Sequence, residues 1–334
     1  MSKKLVTFGE VMMRLSPPGY SKFAQATSLE LVYGGGEANV AISCAYLGMK
    51  ASHVTRFPDN ALGKAATQFL RQHWLSTEHV IYGDEMIGKY FLEKGAVHRS
   101  SEVIYERQGS AFSLIEPKMV DWEEVLKDAD WFHWTGITPA ISDGAAKCCL
   151  EAIKTANKLG IKVSGDINSR DNMWKYGKTM QEVMPELVKH CDIVITSSHG
   201  IHEIFGLGDP DGKFRLAAKD LMDAFPNIEK VVGKTRKSIS ASHQQIQGKV
   251  WNGETYTKTR TLNITHVIDR VGTGDAFASG LIYGLLHYDE DIKALDFATA
   301  ACALKHTVPG DVNMVSLENV ASLMDGNTSG AIKR

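Results

Sequence analysis

The chain has 334 residues, 43% of them hydrophobic, with 37 Lys+Arg against 39 Asp+Glu for a net charge of -2. That length sets one large domain, or one domain with an accessory piece. The near-neutral, scattered charge excludes a polyanion-binding surface as the organising feature. No apolar run reaches the ~20 residues of a membrane span, and a glutamate interrupts the N-terminal MSKKLVTFGEVMMRL before any signal-peptide core can form. The expectation is a cytoplasmic protein with no membrane or nucleic-acid partner.

LVTFG (5–9) reads as a buried strand, and EANVAISCAYLG (37–48) as a helix buried on all sides that stops at Gly48. HVTRF (53–57) is a strand, followed by a helix near 61–74. Residues 78–112 alternate polar and apolar residues in short runs broken by Gly and Ser, the pattern of hairpins. Helix and strand then alternate: helices near 118–128, 142–160, 179–190, 198–205 and 211–225, and strands at 130–136, 162–168, 192–197 and 230–234. A β-rich patch follows at 239–266, then helices at 274–288, 291–304 and 316–324. This order predicts an α/β fold with a mainly parallel central sheet covered on both faces. The boundaries expected are an α/β domain from 1–9, 34–77 and 113–334, and a small β lid from 10–33 and 78–112. The five cysteines, Cys44, Cys148, Cys149, Cys191 and Cys302, form no C-x-x-C pair and sit mostly in apolar segments, which reads as buried free thiols.

DRVGTGDAFASG (269–280) places a carboxylate where a glycine loop becomes an apolar helix. The first backbone N–H groups of a helix have no intrahelical partner, and the helix dipole adds positive charge there. Gly272, Thr273 and Gly274 can therefore cradle a phosphate. Asp275 inside that field is expected to be ionised and placed as a base for an attacking hydroxyl. Aspartate is also a common first-turn residue, so a purely capping role stays open. A dinucleotide fingerprint fits poorly. Gly272-x-Gly274 matches its first half, and Asp289 and Glu290 lie near the required distance. However, Phe277 holds the third glycine position, and the motif sits near the chain's end rather than in its first βαβ unit.

GGGEANVAISCAYLG (34–48) together with DRVGTGDAFASGLIYG (269–284) resembles the two signatures of the ribokinase-like sugar kinases, the PfkB family, and the likeness runs from GEVMMRLSPPG to PGD (309–311). It implies an αβα sandwich with a small β-sheet lid, ATP and Mg²⁺ as cofactors, and phosphorylation of a sugar hydroxyl. Asp275 would be the base, with the amides of Gly272, Thr273, Gly274 and Asp275 as an anion hole. KYFLEKGAVHRSSEVIYER (89–107), TGITPAIS (135–142) and DINSRDNMW (166–174) are most similar to the members acting on 2-keto-3-deoxygluconate. The resemblance then puts sugar contacts on Gly35, Asn39, Tyr90, Tyr105, Arg107, Ile137 and Arg170. Nucleotide contacts are expected on Asn168, Ser197, Lys234, Gly272, Gly274 and Thr299 and, from its position rather than from the resemblance, on Arg236. An acidic sugar suits a guanidinium, which binds carboxylates bidentately. Each position has a plainer reading too: a turn for Gly35, a helix cap for Asn39, sheet packing for the tyrosines, and ion pairs for the arginines.

Two segments depart from the family pattern. Where many members carry N-x-x-E, this chain has Ser197-Ser198-His199-Gly200, which leaves the metal residues unassigned and Glu203 as a substitute one turn on. Where members continue from KVVGK into a glycine-rich turn, this chain has Thr235-Arg236-Lys237-Ser238. There Arg236 reads either as a phosphate clamp or as a solvated turn residue. Exposed lid edges also suggest a homodimer paired through the lid. A kinase for a neutral sugar such as fructose or ribose, and a non-catalytic sugar-binding protein of the same fold, are the alternatives.

Overall fold

The computed structural model describes residues 2–167 and 169–330. Its strands are β1 (Lys4–Phe8), β2 (Met12–Ser16), β3 (Glu30–Gly34), β4 (Lys50–Pro58), β5 (Val80–Gly83), β6 (Lys89–Glu93), β7 (Glu102–Glu106), β8 (Trp131–Thr135), β9 (Lys162–Asp166), β10 (Ile193–Ile195), β11 (Lys230–Ser240), β12 (His243–Trp251), β13 (Tyr256–Lys258) and β14 (Leu262–Ile264). Its helices are α1 (Gly36–Tyr46), α2 (Ala61–Gln72), α3 (Trp122–Leu126), α4 (Ile137–Ile141), α5 (Asp143–Lys158), α6 (Met180–Val188), α7 (Ser198–Phe205), α8 (Phe214–Ala224), α9 (Thr273–His287), α10 (Asp291–Lys305) and α11 (Leu317–Met324).

The large sheet runs β13-β12-β11-β10-β9-β8-β1-β4-β5, with β14 also paired to β12. From β11 to β5 every pairing is parallel, and β12 with its partners is antiparallel. Alternation along the strands feeds two cores. In β10, Val194 faces a core with Phe132, Trp134, Ile153 and Met184, while Ile193 and Ile195 face one with Phe277, Leu281, Leu295 and Phe297. Each such side chain contributes roughly 1.5–3 kcal/mol on burial. The second core needs α9 and α10 close together, and glycine permits it. A Cβ on Gly280 would lie 2.8 Å from the Ala298 Cα, and one on Gly284 would lie 2.6 Å from the Ala294 Cα.

A separate four-stranded sheet, β3-β2-β6-β7, stands apart from the large one. Sequence reading placed all of 78–112 in this lid, but β5 pairs with β4 at the edge of the large sheet. Its VIYG is too short to show a face preference, so pairing alone settles its place. Three other segments differ from expectation. The helix at 118–128 is a 3₁₀ turn at Pro117–Met119 followed by α3, because Asp121 accepts from the Glu124 N–H (3.2 Å) and starts a new helix. α4 is an added short helix between β8 and α5. The strand at 230–234 continues to Ser240 as one arm of a long hairpin with β12, so Arg236 lies on a strand opposite Ile246 and not in a turn. All five cysteines are free and buried, and among the described residues no helix is long and apolar enough to cross a membrane.

Candidate active site

The site forms at the carboxyl ends of the parallel strands, where α1 and α9 begin. Gly272 caps α9 with φ +76°, and a Cβ there would lie 1.8 Å from the Asp311 carbonyl oxygen. Only glycine tolerates both the left-handed backbone and that approach. The first-turn amides of a 15-residue helix thus follow directly from the loop. Lys234 brings its Nζ to 3.7 Å from where a Gly274 Cβ would be and lies over the Phe277 ring at 5.1 Å, adding positive charge beside the cradle. These residues fit an anionic phosphate.

Asp275, half-buried in the first turn of α9, accepts from Asn39 Nδ2 at 2.7 Å. From the sequence, the positive field at the helix start is expected to favour the ionised form of this carboxyl. Burial instead pushes it up to about 7; the Asn39 bond opposes the rise, and Asp166, Asp311 and Glu37 add to it. Desolvation and neighbouring carboxylates outweigh the dipole. A carboxyl that titrates near neutrality is able both to accept a proton and to release it.

Asn39 is not the helix cap of the plainer reading: Gly35 is the N-cap and Asn39 lies inside α1, where its Oδ1 accepts from the Gly35 N–H at 3.4 Å. Gly35 is extended (φ -173°), and it is required because a Cβ would meet the Glu10 carbonyl at 2.0 Å. A Cβ on Gly36 would sit 3.7 Å from Ile137 Cδ1 and 3.8 Å from Asp275 Oδ1, so Ile137, α1 and the aspartate share one small space. Glu37, not anticipated from sequence, is buried and accepts from Thr135 Oγ1 (2.8 Å), Thr138 Oγ1 (2.6 Å) and the Thr135 N–H (3.2 Å). It fixes α1 to the end of β8.

On the lid side, Tyr90 and Tyr105 are paired across β6 and β7 with ring centroids 5.6 Å apart. Tyr105 is exposed, whereas Tyr90 is buried and donates its hydroxyl to Asp311 Oδ2 at 2.5 Å. Arg107 is held by Glu10 Oε2, with Nε at 2.7 Å and Nη2 at 2.5 Å; Ser110 Oγ donates to the other Glu10 oxygen at 2.5 Å. Its Nη1 lies 3.9 Å from Met173 Sδ, and the Met173 N–H donates to the Arg170 carbonyl (2.9 Å), so the two arginine-bearing segments meet. Arg170 is exposed and adopts a left-handed φ of +51° directly after β9, a conformation that costs about 1–3 kcal/mol in a non-glycine residue and clusters at functional sites.

Of the nucleotide candidates, Asn168 lies outside the described residues. Ser197 caps α7, accepting from the Gly200 N–H at 3.0 Å. Glu203 pairs with His199 at 3.0 Å. Thr299 is buried where α10 packs on Gly248 of β12, and its hydroxyl donates to the Leu295 carbonyl at 2.8 Å. Arg236 is exposed on β11; burial, and then the charge of Arg236, lowers the pKa of Arg270, which stands just before the glycine loop. Arg270 was not singled out from sequence, although it stands inside the DRVGTGD motif.

A parallel-sheet domain with a glycine loop opening a helix and an acidic residue in that helix's first turn, beside a separate β sheet, has the architecture of a ribokinase-like sugar kinase. The pfkB family carbohydrate kinase model matches residues 2–317, and the chain belongs to that family. The 2-dehydro-3-deoxygalactonokinase of Haloferax volcanii is 30% identical over 99% of both chains. The 2-dehydro-3-deoxygluconokinase of Thermoproteus tenax is 28% identical over 92% of this chain and 89% of that one. The crystal structure of 2-dehydro-3-deoxygluconokinase from Thermotoga maritima superimposes with a TM-score of 0.92 at 38% identity, covering 98% of this chain and 99% of that one.

Proposed function

We propose that the protein transfers the γ-phosphoryl group of ATP to the terminal hydroxyl of 2-keto-3-deoxygluconate, giving the 6-phosphate. The observation that carries the chemistry is Asp275, oriented by Asn39 at 2.7 Å and set beside the Gly272–Gly274 amides in one helical turn. The names of its relatives support the sugar acid.

Phosphoryl transfer depends on alignment and charge stabilisation more than on covalent chemistry. Asp275 takes the proton of the attacking hydroxyl. The 272–275 amides and Lys234 offset charge on the moving phosphoryl group, and Arg236 with Arg270 holds the nucleotide phosphates. Mg²⁺, bound with ATP, supplies further neutralisation, and no residue is assigned to it. Arg107 and Arg170 receive the sugar carboxylate, Tyr90 and Tyr105 close the lid side, and Gly35, Asn39 and Ile137 shape the floor. Asn168, Ser197 and Thr299 belong to the nucleotide half of this reading. The lid presents Val103 and Ile104 exposed on its edge strand β7, which suits pairing with a second copy.

The Haloferax volcanii relative favours a second substrate, the galactonate epimer. ADP release across both 2-keto-3-deoxy sugar acids, fructose and ribose decides among them. The proposal expects highest kcat/KM for the gluconate form. A preference for neutral sugars overturns the acid assignment, and no ADP release with any sugar overturns the catalytic reading.

A further inference from the structure

We propose that Arg14 is a positioning residue for phosphoryl transfer, tying the seat of the lid sheet to the geometry of the Gly272–Asp275 loop. The inference rests on the reading of that loop as the anion hole.

Arg14 projects from β2 of the lid and is 2% exposed, yet every nitrogen of its guanidinium is engaged. Nη1 donates to Asp311 Oδ1 at 2.7 Å, Nη2 to Asp269 Oδ2 at 2.7 Å, and Nε to Ser16 Oγ at 3.1 Å. Both acceptors are themselves parts of the loop's support. Asp269 Oδ1 accepts from the Val271 N–H (3.1 Å), immediately before Gly272, and its Oδ2 accepts from the Gly310 N–H (3.1 Å). Asp311 presses its carbonyl oxygen against Gly272, at 1.8 Å from a would-be Cβ, and its Oδ2 accepts from Tyr90 of β6. The Lys305 Cε also approaches that would-be Cβ, at 3.3 Å. The capping glycine of the proposed anion hole thus lies between Val271, whose N–H the Asp269 carboxylate holds, and the backbone carbonyl of Asp311. One lid guanidinium bonds both aspartate side chains, Lys94 Nζ lies 4.0 Å from Asp269 Oδ2, and a second lid strand is bound to Asp311 through Tyr90.

Stability alone does not call for such an arrangement. A buried ion triad is often no more stabilising than apolar residues of the same volume. A guanidinium does offer a rigid planar fork that holds two carboxylates at a fixed spacing, which an ammonium on a flexible stem cannot. Displacing reacting groups by about 1 Å costs on the order of 10²-fold in rate. When the lid sheet seats, the loop acquires its geometry; when the fork is lost, the loop remains but its amides are misaligned.

The test compares Arg14→Lys with a triple variant that removes all three charges, Arg14→Met/Asp269→Asn/Asp311→Asn, using the panel sugar with the highest kcat/KM and Asp275→Asn as a parallel control. For Arg14→Lys, kcat should fall on the order of 10²-fold, with KM for ATP and sugar each within about threefold of the parent. The triple variant, if it melts near the parent temperature, should still show the low kcat. A folded Arg14→Lys with parental kcat, or a loss confined to KM, overturns the proposal. So does a triple variant that regains both stability and kcat, which would make the cluster merely structural. If Arg14→Lys fails to fold, the triple variant decides alone. Parental turnover by Asp275→Asn instead overturns the site reading itself, so the two failures are distinguishable.

Discussion

Asn39 Nδ2 and Asp275 Oδ2 lie 2.7 Å apart across 236 residues of sequence, joining the first turns of α1 and α9. The bond favours the ionised carboxylate, while burial and three acidic neighbours disfavour it. Its removal therefore has a definite sign. In Asn39→Leu the Asp275 pKa rises above its value of about 7, and the acidic limb of the kcat/KM–pH profile moves upward. A hydrogen bond to a charged group contributes about 1.5–3 kcal/mol, less where water screens it, so the limb should move by about one pH unit. A limb that stays in place would show that the limb belongs to another group.

The same carboxyl makes folding depend on pH. Its pKa in the folded protein, about 7, is above the ordinary 3.8. Between those values the folded state binds more protons than the unfolded one. Stability from this group is therefore complete below about pH 4 and is lost as pH rises through 7. Asp275→Asn should flatten that loss, melting a few °C above the parent at pH 8 and close to it at pH 4, with the gain limited to about 1–2 kcal/mol by the group's partial exposure. Scanning calorimetry at the two pH values checks this; identical differences at both would mean the carboxyl titrates normally.

Gly272→Ala asks whether the loop backbone itself is needed. A methyl group would have to displace the Asp311 carbonyl, 1.8 Å away, at a φ of +76°. The expected result is a protein destabilised by about 1–3 kcal/mol, with kcat lowered by roughly 10²-fold or more. Retention of full kcat would indicate that the amides do not contact the transferred group.

Arg170→Leu separates acidic from neutral substrates. Loss of a charged hydrogen bond should lower kcat/KM for 2-keto-3-deoxygluconate by about 10–100-fold and leave slow turnover of a neutral sugar nearly unchanged. An equal loss for both sugars would remove the carboxylate argument. Arg236→Ala should raise the KM for ATP, measured by steady-state ADP release; an unchanged value would show that Arg236 does not hold the nucleotide.

The helix–strand alternation, the two glycine-bearing signatures and the apolar character of α9 were all legible because each is encoded over a short window. The supports of the site were not. Arg14 reaches Asp311 across 297 positions and Asp269 across 255, and in MMRLS an arginine looks like an ordinary solvent-facing strand residue. Glu10 and Glu37 were likewise hidden, since a buried carboxylate is recognised by partners such as Arg107 or Thr138 that come from other elements. β5 was misplaced because VIYG says nothing about which sheet edge it joins. The β11 strand was cut short because its outer half, Thr235–Ile239, is exposed and polar in composition, so hydrophobic patterning ends where pairing with β12 continues.

The central claim is that Asp275 deprotonates the acceptor hydroxyl. Its most direct test is the single-turnover rate of ADP formation by Asp275→Asn with saturating ATP and 2-keto-3-deoxygluconate, the variant's folding being verified by its melting curve. The account predicts a rate about 10²–10⁴-fold below the parent with substrate affinity largely kept. A rate equal to the parent's would contradict it.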